Sequence, residues 1–359
     1  MAKILFLLPY PLKRAPSQHL KFEQYFPHIR DNGHEITVDS FISEAFWKIL
    51  YKEGNFSKKI SFTLIAYLNR FFILFKLRKY DVIYCHLWIT PYGFPFFEFL
   101  TRKISKKIIF DIDDLIFLGH SSSANKRFKI LKGNLKPIYL MKKSDHVITC
   151  TPHLDNFVRQ FNLNSTDISS TINTDLYKPI NNYSNNKTLV IGWSGSHSTS
   201  KYIHIIKDVL IKLSKKYQIK IHVIGDTKFK LEELDNIVVI PWSEESEVSE
   251  LQKFDIGIYP LPNEEWVLGK SGLKALQYMA LGIPTVATAI GANFRVIEDG
   301  ISGKLVNTHA EWEVALTQYI IDAELRKSHG IEARKRVEEL YSVKANKEKY
   351  LKVLKDLVE

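Results

Sequence analysis

An α/β chain of two domains, each a parallel sheet covered by helices, is what this sequence predicts, and three observations predict it. Short runs rich in Ile, Val and Phe alternate with helical patterns from end to end, as sheets buried on both faces require. The runs fall into two series, parted by a polar stretch at residues 178–187 whose Pro, Asn and Ser content marks a linker. The 359 residues, 45% apolar and 25% charged, suffice for two domains that each bury a core.

The first series has strands at residues 3–8, 35–41, 81–86, 107–112 and 146–150. Thr90-Pro91 and Thr151-Pro152 read as helix N-caps followed by proline at the first helical position. The second series has strands at residues 188–192, 219–225, 236–241, 255–260 and 284–289. From residue 310 the pattern is helical and highly charged. The expected units are residues 1–180 and 187–340, two Rossmann-like domains with a cleft between them. A C-terminal helix, residues 341–359, is expected to pack back on the first. Ligands of open α/β sheets bind beyond the carboxyl ends of strands, so chemistry is to be sought in those loops.

Composition narrows the partners. Cys85 and Cys150 end strand-like runs without metal spacing, which fits buried thiols rather than a disulfide framework. The apolar run after Met1-Ala-Lys3 stops at Pro9, too short for a signal-peptide core, so a cytoplasmic protein is expected. The net charge of +11 is concentrated between Glu44 and Tyr80, where eight Lys or Arg face two acids among ten aromatics. Residues 60–75 are strongly apolar but short of the roughly 20 residues that span a bilayer. Such a segment suits peripheral contact with an anionic membrane; a helical pair with a solvated basic face fits equally well. The basic residues are not organised around any nucleic-acid-binding module, so that partner is not expected.

The most informative stretch is Trp266-Val-Leu-Gly-Lys-Ser-Gly-Leu-Lys-Ala-Leu-Gln-Tyr-Met-Ala-Leu-Gly-Ile-Pro-Thr-Val-Ala-Thr288. A strand leads into a glycine turn, and the turn opens a helix at Leu273. Free N–H groups of Ser271, Gly272 and Leu273 and the positive helix end make an anion site there, to which Lys270 adds a full charge. An ordinary βα turn would use the same glycines only for packing. A second small-residue loop, Gly192-Trp-Ser-Gly195, follows a strand and leads to Lys201, a form that can wrap a diphosphate.

Together these segments resemble the donor-binding signature of the retaining GT-B glycosyltransferases, the glycosyl transferases group 1 family. Tyr278-Met-Ala-Leu-Gly-Ile-Pro-Thr-Val286 fits the tail of that signature, whereas the two glutamates of the pattern fall on Gly269 and Gln277. The resemblance is spread over most of the chain and is specific at residues 255–306. It implies transfer of a sugar from a nucleoside diphosphate to an acceptor hydroxyl with retention at the anomeric carbon. It also implies donor contacts at Gly192, Trp193, Ser194, Gly195, Lys201, Gly225, Trp242 and Gln277 besides the turn. Relatives place an Arg where Trp193 stands, so Lys270 or Lys274 is expected to replace it, although a lysine at 274 also suits a solvated helix face. Gln277 can still bond a ribose hydroxyl; Gly269 offers no side chain, and Glu264 and Glu265 are the nearest substitutes.

In the first domain His86 ends a strand at a place where relatives often carry a histidine. Phe110-Asp-Ile-Asp-Asp-Leu115 crowds three carboxylates at a strand mouth, which is costly without cationic or hydroxyl partners. His86, Asp113 and Asp114 are therefore the candidate catalytic or acceptor-side groups. Asp111-Ile-Asp113 also matches the metal-binding D-x-D of the other main glycosyltransferase fold, but the cationic phosphate site makes metal-independent chemistry the expectation. The basic aromatic segment suggests a glycan or lipid-linked acceptor in surface polysaccharide assembly. Another GT-B enzyme such as a nucleotide-sugar epimerase, or a non-catalytic nucleotide-sugar or membrane-surface binding protein, would share the same signature.

Overall fold

The computed structural model describes residues 1–117, 135–180 and 188–359. The first of two six-stranded sheets comprises β1 (Lys3–Leu8), β2 (Glu35–Ser40), β3 (Val82–His86), β4 (Lys107–Asp111), β5 (His146–Thr149) and β6 (Ser165–Asp167). The second comprises β7 (Leu189–Ser194), β8 (Ile219–Ile224), β9 (Ile237–Ile240), β10 (Ile256–Tyr259), β11 (Thr285–Thr288) and β12 (Gly303–Val306). Their spatial orders are β2-β1-β3-β4-β5-β6 and β12-β11-β10-β7-β8-β9, with every pairing parallel.

Sequence pattern follows position in the sheet. Central strands are apolar on both faces because helices cover both: Val-Ile-Tyr-Cys-His of β3 is buried throughout, as is Ile-Gly-Ile-Tyr of β10. Edge strands β2 and β9 are only half-covered and carry polar residues or partial exposure. Strands β6 and β12 are absent from the sequence expectation. Ser-Thr-Asp and Gly-Lys-Leu-Val are too short and too polar to read as buried runs, and each finds its partner only at a sheet edge. Thr151 caps the helix Pro152–Arg159, its hydroxyl accepting Leu154 N–H at 3.1 Å. Thr90 caps nothing. It is buried on a loop before the helix Phe96–Ile104, where Glu98 Oε1 accepts its N–H at 3.3 Å.

The chain divides into two compact units, Met1–Ser169 with Lys347–Glu359, and Ser170–Asn346. Residues 170–180, expected with the first domain, pack in the second, where Arg334 donates to Thr174 O at 2.9 Å and to Tyr177 O. The linker expected at 178–187 lies mostly outside the described residues. The last helix, Val343–Val358, ends in the first unit, where Tyr350 packs against Tyr25 with ring centroids 4.3 Å apart. Cys85 and Cys150 are buried free thiols.

Candidate functional site

In the second sheet the chain runs outward from β7 through β8 to β9, then returns beside β7 as β10 and runs the other way to β12. The loops after β7 and β10 therefore part from each other, and this topological switch point is where a parallel sheet opens a ligand crevice. Both segments singled out in the sequence lie on these two loops.

The loop after β7 is held by close backbone approach. Gly225, just after β8, has φ +105°, and a Cβ there would sit 2.0 Å from Gly195 O, so only glycine lets the two loops touch. Gly195 N–H in turn donates to Ile224 O at 2.9 Å. Ser194 N–H donates to Tyr278 Oη at 2.8 Å, and Gly257 makes room for that tyrosine ring, which lies 2.5 Å from its absent Cβ. Beyond this anchor the hydroxyls of Ser196, Ser198 and Thr199 are exposed and bonded locally. Ser200 Oγ donates to Asp226. Two expected donor contacts are core residues instead. A Cβ at Gly192 would overlap the Phe254 ring at 2.1 Å, and Trp193 is 1% exposed in the main apolar cluster of this unit. Strand alternation explains both: within β7, Ile191 and Trp193 share the same core-facing row.

The loop after β10 passes through a short helix, Glu265–Gly269, to Gly272 at φ +76°, which starts the helix Leu273–Ala280 with no side-chain cap. The first bonded amide of that helix is Leu276 N–H, to Gly272 O at 3.1 Å. Ser271 Oγ is 2.7 Å from Ser170 Oγ. Three lysines gather here. Lys201 Nζ lies over the Tyr202 ring at 5.3 Å, Tyr202 stacks on Trp266 at 5.6 Å, and Lys270 Nζ lies over Trp266 at 5.5 Å. Lys274 is not on a solvated face. Its half-buried ammonium sits between the Trp193 and Tyr259 rings, at 5.5 and 5.3 Å, and its Cε would be 2.5 Å from a Cβ at Gly195. Burial, then Lys270, push its pKa down from 10.5 to about 8. A cation in a first helical turn is also opposed by the helix dipole. No hydrogen bond or ion pair to Lys274 occurs among the described residues, so burial, neighbour and dipole all await a negative charge.

Gln277 is buried and committed. Its Nε2 donates to Tyr177 Oη at 3.0 Å, Tyr177 donates to Glu247 Oε2 at 2.6 Å, and Trp242 Nε1 donates to Glu247 Oε1 at 2.8 Å. Trp242 keeps 37% of its surface exposed, so its ring remains available for stacking. Of the two glutamates near Gly269, Glu264 accepts the Trp266 indole N–H, and Glu265 opens the short helix. Tyr177, Glu247, Tyr202 and Tyr259 carried no signal in sequence, because each meets its partner only through the fold. Trp266 and Tyr278 lie within residues 266–288, where large aromatics beside the glycines are the signal that marks them as its supports.

The first-unit candidates lie at the ends of β3 and β4. Asp111, paired with His86 in sheet register, bonds Lys21 Nζ at 2.5 Å and accepts from Tyr84 Oη, all of it fully buried. With both carboxylate oxygens engaged, Asp111-Ile-Asp113 presents no free pair, and no cluster of three His, Cys, Asp or Glu side chains suits a metal among the described residues. His86 is buried rather than open: its Nδ1 lies 3.8 Å from Asp111, and its ring packs against Phe22 at 5.0 Å. Asp113 is half-buried. Burial, with Asp114 and Asp111, pushes its carboxyl up against the opposing pull of His86 and Lys21. Asp114 Oδ1 accepts Leu115 N–H at 2.8 Å.

Residues 188–322 match the family model for glycosyl transferases group 1. No curated protein sequence matches the chain. Among solved structures, a sucrose-phosphate synthase from Thermosynechococcus elongatus superposes with a TM-score of 0.72 at 14% identity, covering 99% of each chain. HepE of Anabaena in complex with UDP-glucose gives 0.72 at 16% identity, covering 99% of this chain and 100% of that one. The lipopolysaccharide outer core galactosyltransferase WaaB gives 0.65 at 13% identity, covering 99% of each. These likenesses fix the fold as that of the GT-B glycosyltransferases, and it is the segment 188–322 that carries the match to glycosyl transferases group 1.

Proposed function

We propose that the chain transfers a sugar from a nucleoside diphosphate to an acceptor hydroxyl, with retention of anomeric configuration. The observation that carries this reading is the unpaired, half-buried ammonium of Lys274 beside Lys270 at an uncapped helix start. A diphosphate supplies the missing charge. Lys201, Lys270, Lys274 and the N–H groups of Ser271, Gly272 and Leu273 stabilise it as it leaves, when its negative charge is greatest. Three ammonium groups take the part that a divalent ion plays elsewhere, so the reaction is metal-independent and proceeds in EDTA. Trp242 covers one face of the nucleobase, and Gly225 with Gly195 keeps the loop close to the phosphates. Asp113 and Asp114 bind hydroxyls of the acceptor. His86 acts as a positioning residue beside Asp111.

HepE was solved with UDP-glucose, and WaaB acts on lipopolysaccharide outer core. They support a uridine nucleotide as the first donor to test and a surface glycan or lipid-linked acceptor. The deciding experiment is calorimetric titration of UDP and uridine into wild type and Lys270→Ala. The variant loses about tenfold in affinity for UDP, one charge-assisted contact, and nothing for uridine. Equal losses for both ligands would contradict the assignment. Release of free UDP from UDP-sugar only in the presence of acceptor excludes an epimerase, and any turnover excludes a binding protein.

A further inference from the structure

Helix Phe56–Leu74 is turned inside out with respect to an ordinary surface helix. Its inner face carries Phe62, Ala66, Arg70 and Leu74, and Arg70 is its one charged residue beyond Lys59. That guanidinium is 1% exposed, ion-paired with Asp39 and donating to Leu8 O at 2.8 Å and Ile89 O at 3.1 Å. The outer face carries Phe56, Ile60, Leu64, Leu68 and Phe72 at intervals of four, with Phe71 and Phe75 beside them, all exposed. From residue 60 to 75 this face has no charge over about 24 Å of helix. Scattered exposed apolar residues are ordinary; a continuous stripe marks a docking surface.

The stripe is extended and rimmed. Tyr67 on the same helix accepts Tyr92 N–H at 3.1 Å and packs on Phe97 at 5.8 Å, which brings the exposed Tyr92, Phe94 and Phe96 alongside. On the other flank a groove of about 530 Å³ runs between this helix and the helix Glu44–Leu50, lined by Ile49, Phe62 and Ile65 with Lys58 at its edge. The rims are cationic: Lys52 and Lys58 at one end, Lys76, Arg78 and Lys79 at the other, all exposed. No helix among the described residues is long and apolar enough to cross a membrane.

We propose that this face lies flat on the surface of an anionic phospholipid bilayer, its Leu and Phe side chains in the acyl boundary and its rim cations on the headgroups. Charge complementarity selects this occupant: the stripe itself holds no carboxylate and residues 44–80 carry eight Lys or Arg against two acids, so the face repels a second copy of itself but matches anionic lipid.

The test is flotation of the whole purified chain with phosphatidylcholine vesicles, with and without phosphatidylglycerol, across a salt series. Wild type floats with the anionic vesicles and is released as salt screens the rim. The variant Leu64→Glu/Leu68→Glu/Phe72→Glu changes exposed positions only, keeps its melting profile, and stays at the bottom of the gradient. Lys76→Gln, Arg78→Gln and Lys79→Gln lower partitioning about fivefold per charge removed. Wild type that does not float, or a triple glutamate variant that floats as wild type does, overturns the proposal. So does a concentration-dependent dimer without vesicle binding that the same triple change dissociates. UDP affinity of these variants stays at the wild-type value, which distinguishes failure here from failure of the donor-site reading.

Discussion

Replacing Lys274 by methionine separates what this side chain costs the empty protein from what it contributes to the ligand. Burial, with Lys270 adding to it, lowers its pKa from 10.5 to about 8. At about 1.4 kcal/mol per unit, holding the ammonium charged in the empty fold costs up to about 3 kcal/mol at pH 7. Methionine fills similar volume between Trp193 and Tyr259 without that cost, so Lys274→Met is expected to be more stable by about 1–3 kcal/mol, less the lost cation–π contacts. The same change removes a charge-assisted contact worth about 1.5–3 kcal/mol, weakening UDP roughly ten- to hundredfold.

The sign with pH follows from the direction of the shift. The folded pKa lies below the unfolded one, so the cost is full below about pH 8 and fades as pH rises toward 10.5; wild type then gains on the variant. Binding moves oppositely, because only the charged form pairs with the diphosphate. The UDP dissociation constant of wild type rises about tenfold from pH 7 to pH 9, and that of Lys274→Met stays flat. Urea denaturation and calorimetry in buffers of different ionisation enthalpy read both effects, with proton uptake on binding near pH 8. A variant that is less stable at pH 7 and binds UDP as tightly as wild type would refute the reasoning and make Lys274 a packing residue.

Gln277→Glu restores the residue typical of relatives and should nevertheless harm this protein: Tyr177 already donates to Glu247, so position 277 must donate, and a carboxylate cannot. A loss of about 1–3 kcal/mol in thermal or urea denaturation is expected, recovered by adding Glu247→Gln. Gly225→Ala combines a φ of +105° with a Cβ 2.0 Å from Gly195 O and should cost at least about 2 kcal/mol while abolishing UDP binding, both measurable on one sample. Lys21→Met leaves the buried Asp111 carboxylate without its cation and should cost about 3–5 kcal/mol near neutral pH. Burial pushes the Asp111 carboxyl up, but Lys21 and His86 outweigh it and hold it below the usual carboxylate range. Its contribution to wild type is therefore present above the unfolded pKa and lost as pH falls through the folded one. The deficit of Lys21→Met should shrink in acid denaturation.

What was legible in the sequence was whatever a short window can express. The two sheets, and the loops at the switch point of the second, follow from apolar runs such as Ile-Gly-Ile-Tyr and from the glycine turn before Leu273. Strands β6 and β12 were invisible because a three- or four-residue edge strand needs no apolar signature. Thr90 misled because Thr-Pro marks a cap only where a helix follows, and here a buried carboxylate, Glu98, claimed the hydroxyl and amide. Trp193 falls in the motif's binding loop, yet its alternation with Ile191 already points it into the core. The candidate site of the second unit was only half visible. Lys201 and Lys270 are joined by two stacked aromatics, and Gln277 is held by Tyr177, 100 residues away, which in turn donates to Glu247.

The chain of donors from Gln277 through Tyr177 to Glu247 has a practical corollary. Each proton in it points one way, so the tilt of the Trp242 indole answers to the chemistry of a helix position 35 residues later in the chain. With Trp242 on the nucleobase, as proposed, selection for a new base that touched this residue alone would act against a fixed tether. Libraries meant to change donor preference should randomise residues 177, 247 and 277 jointly, since viable solutions will appear as matched sets.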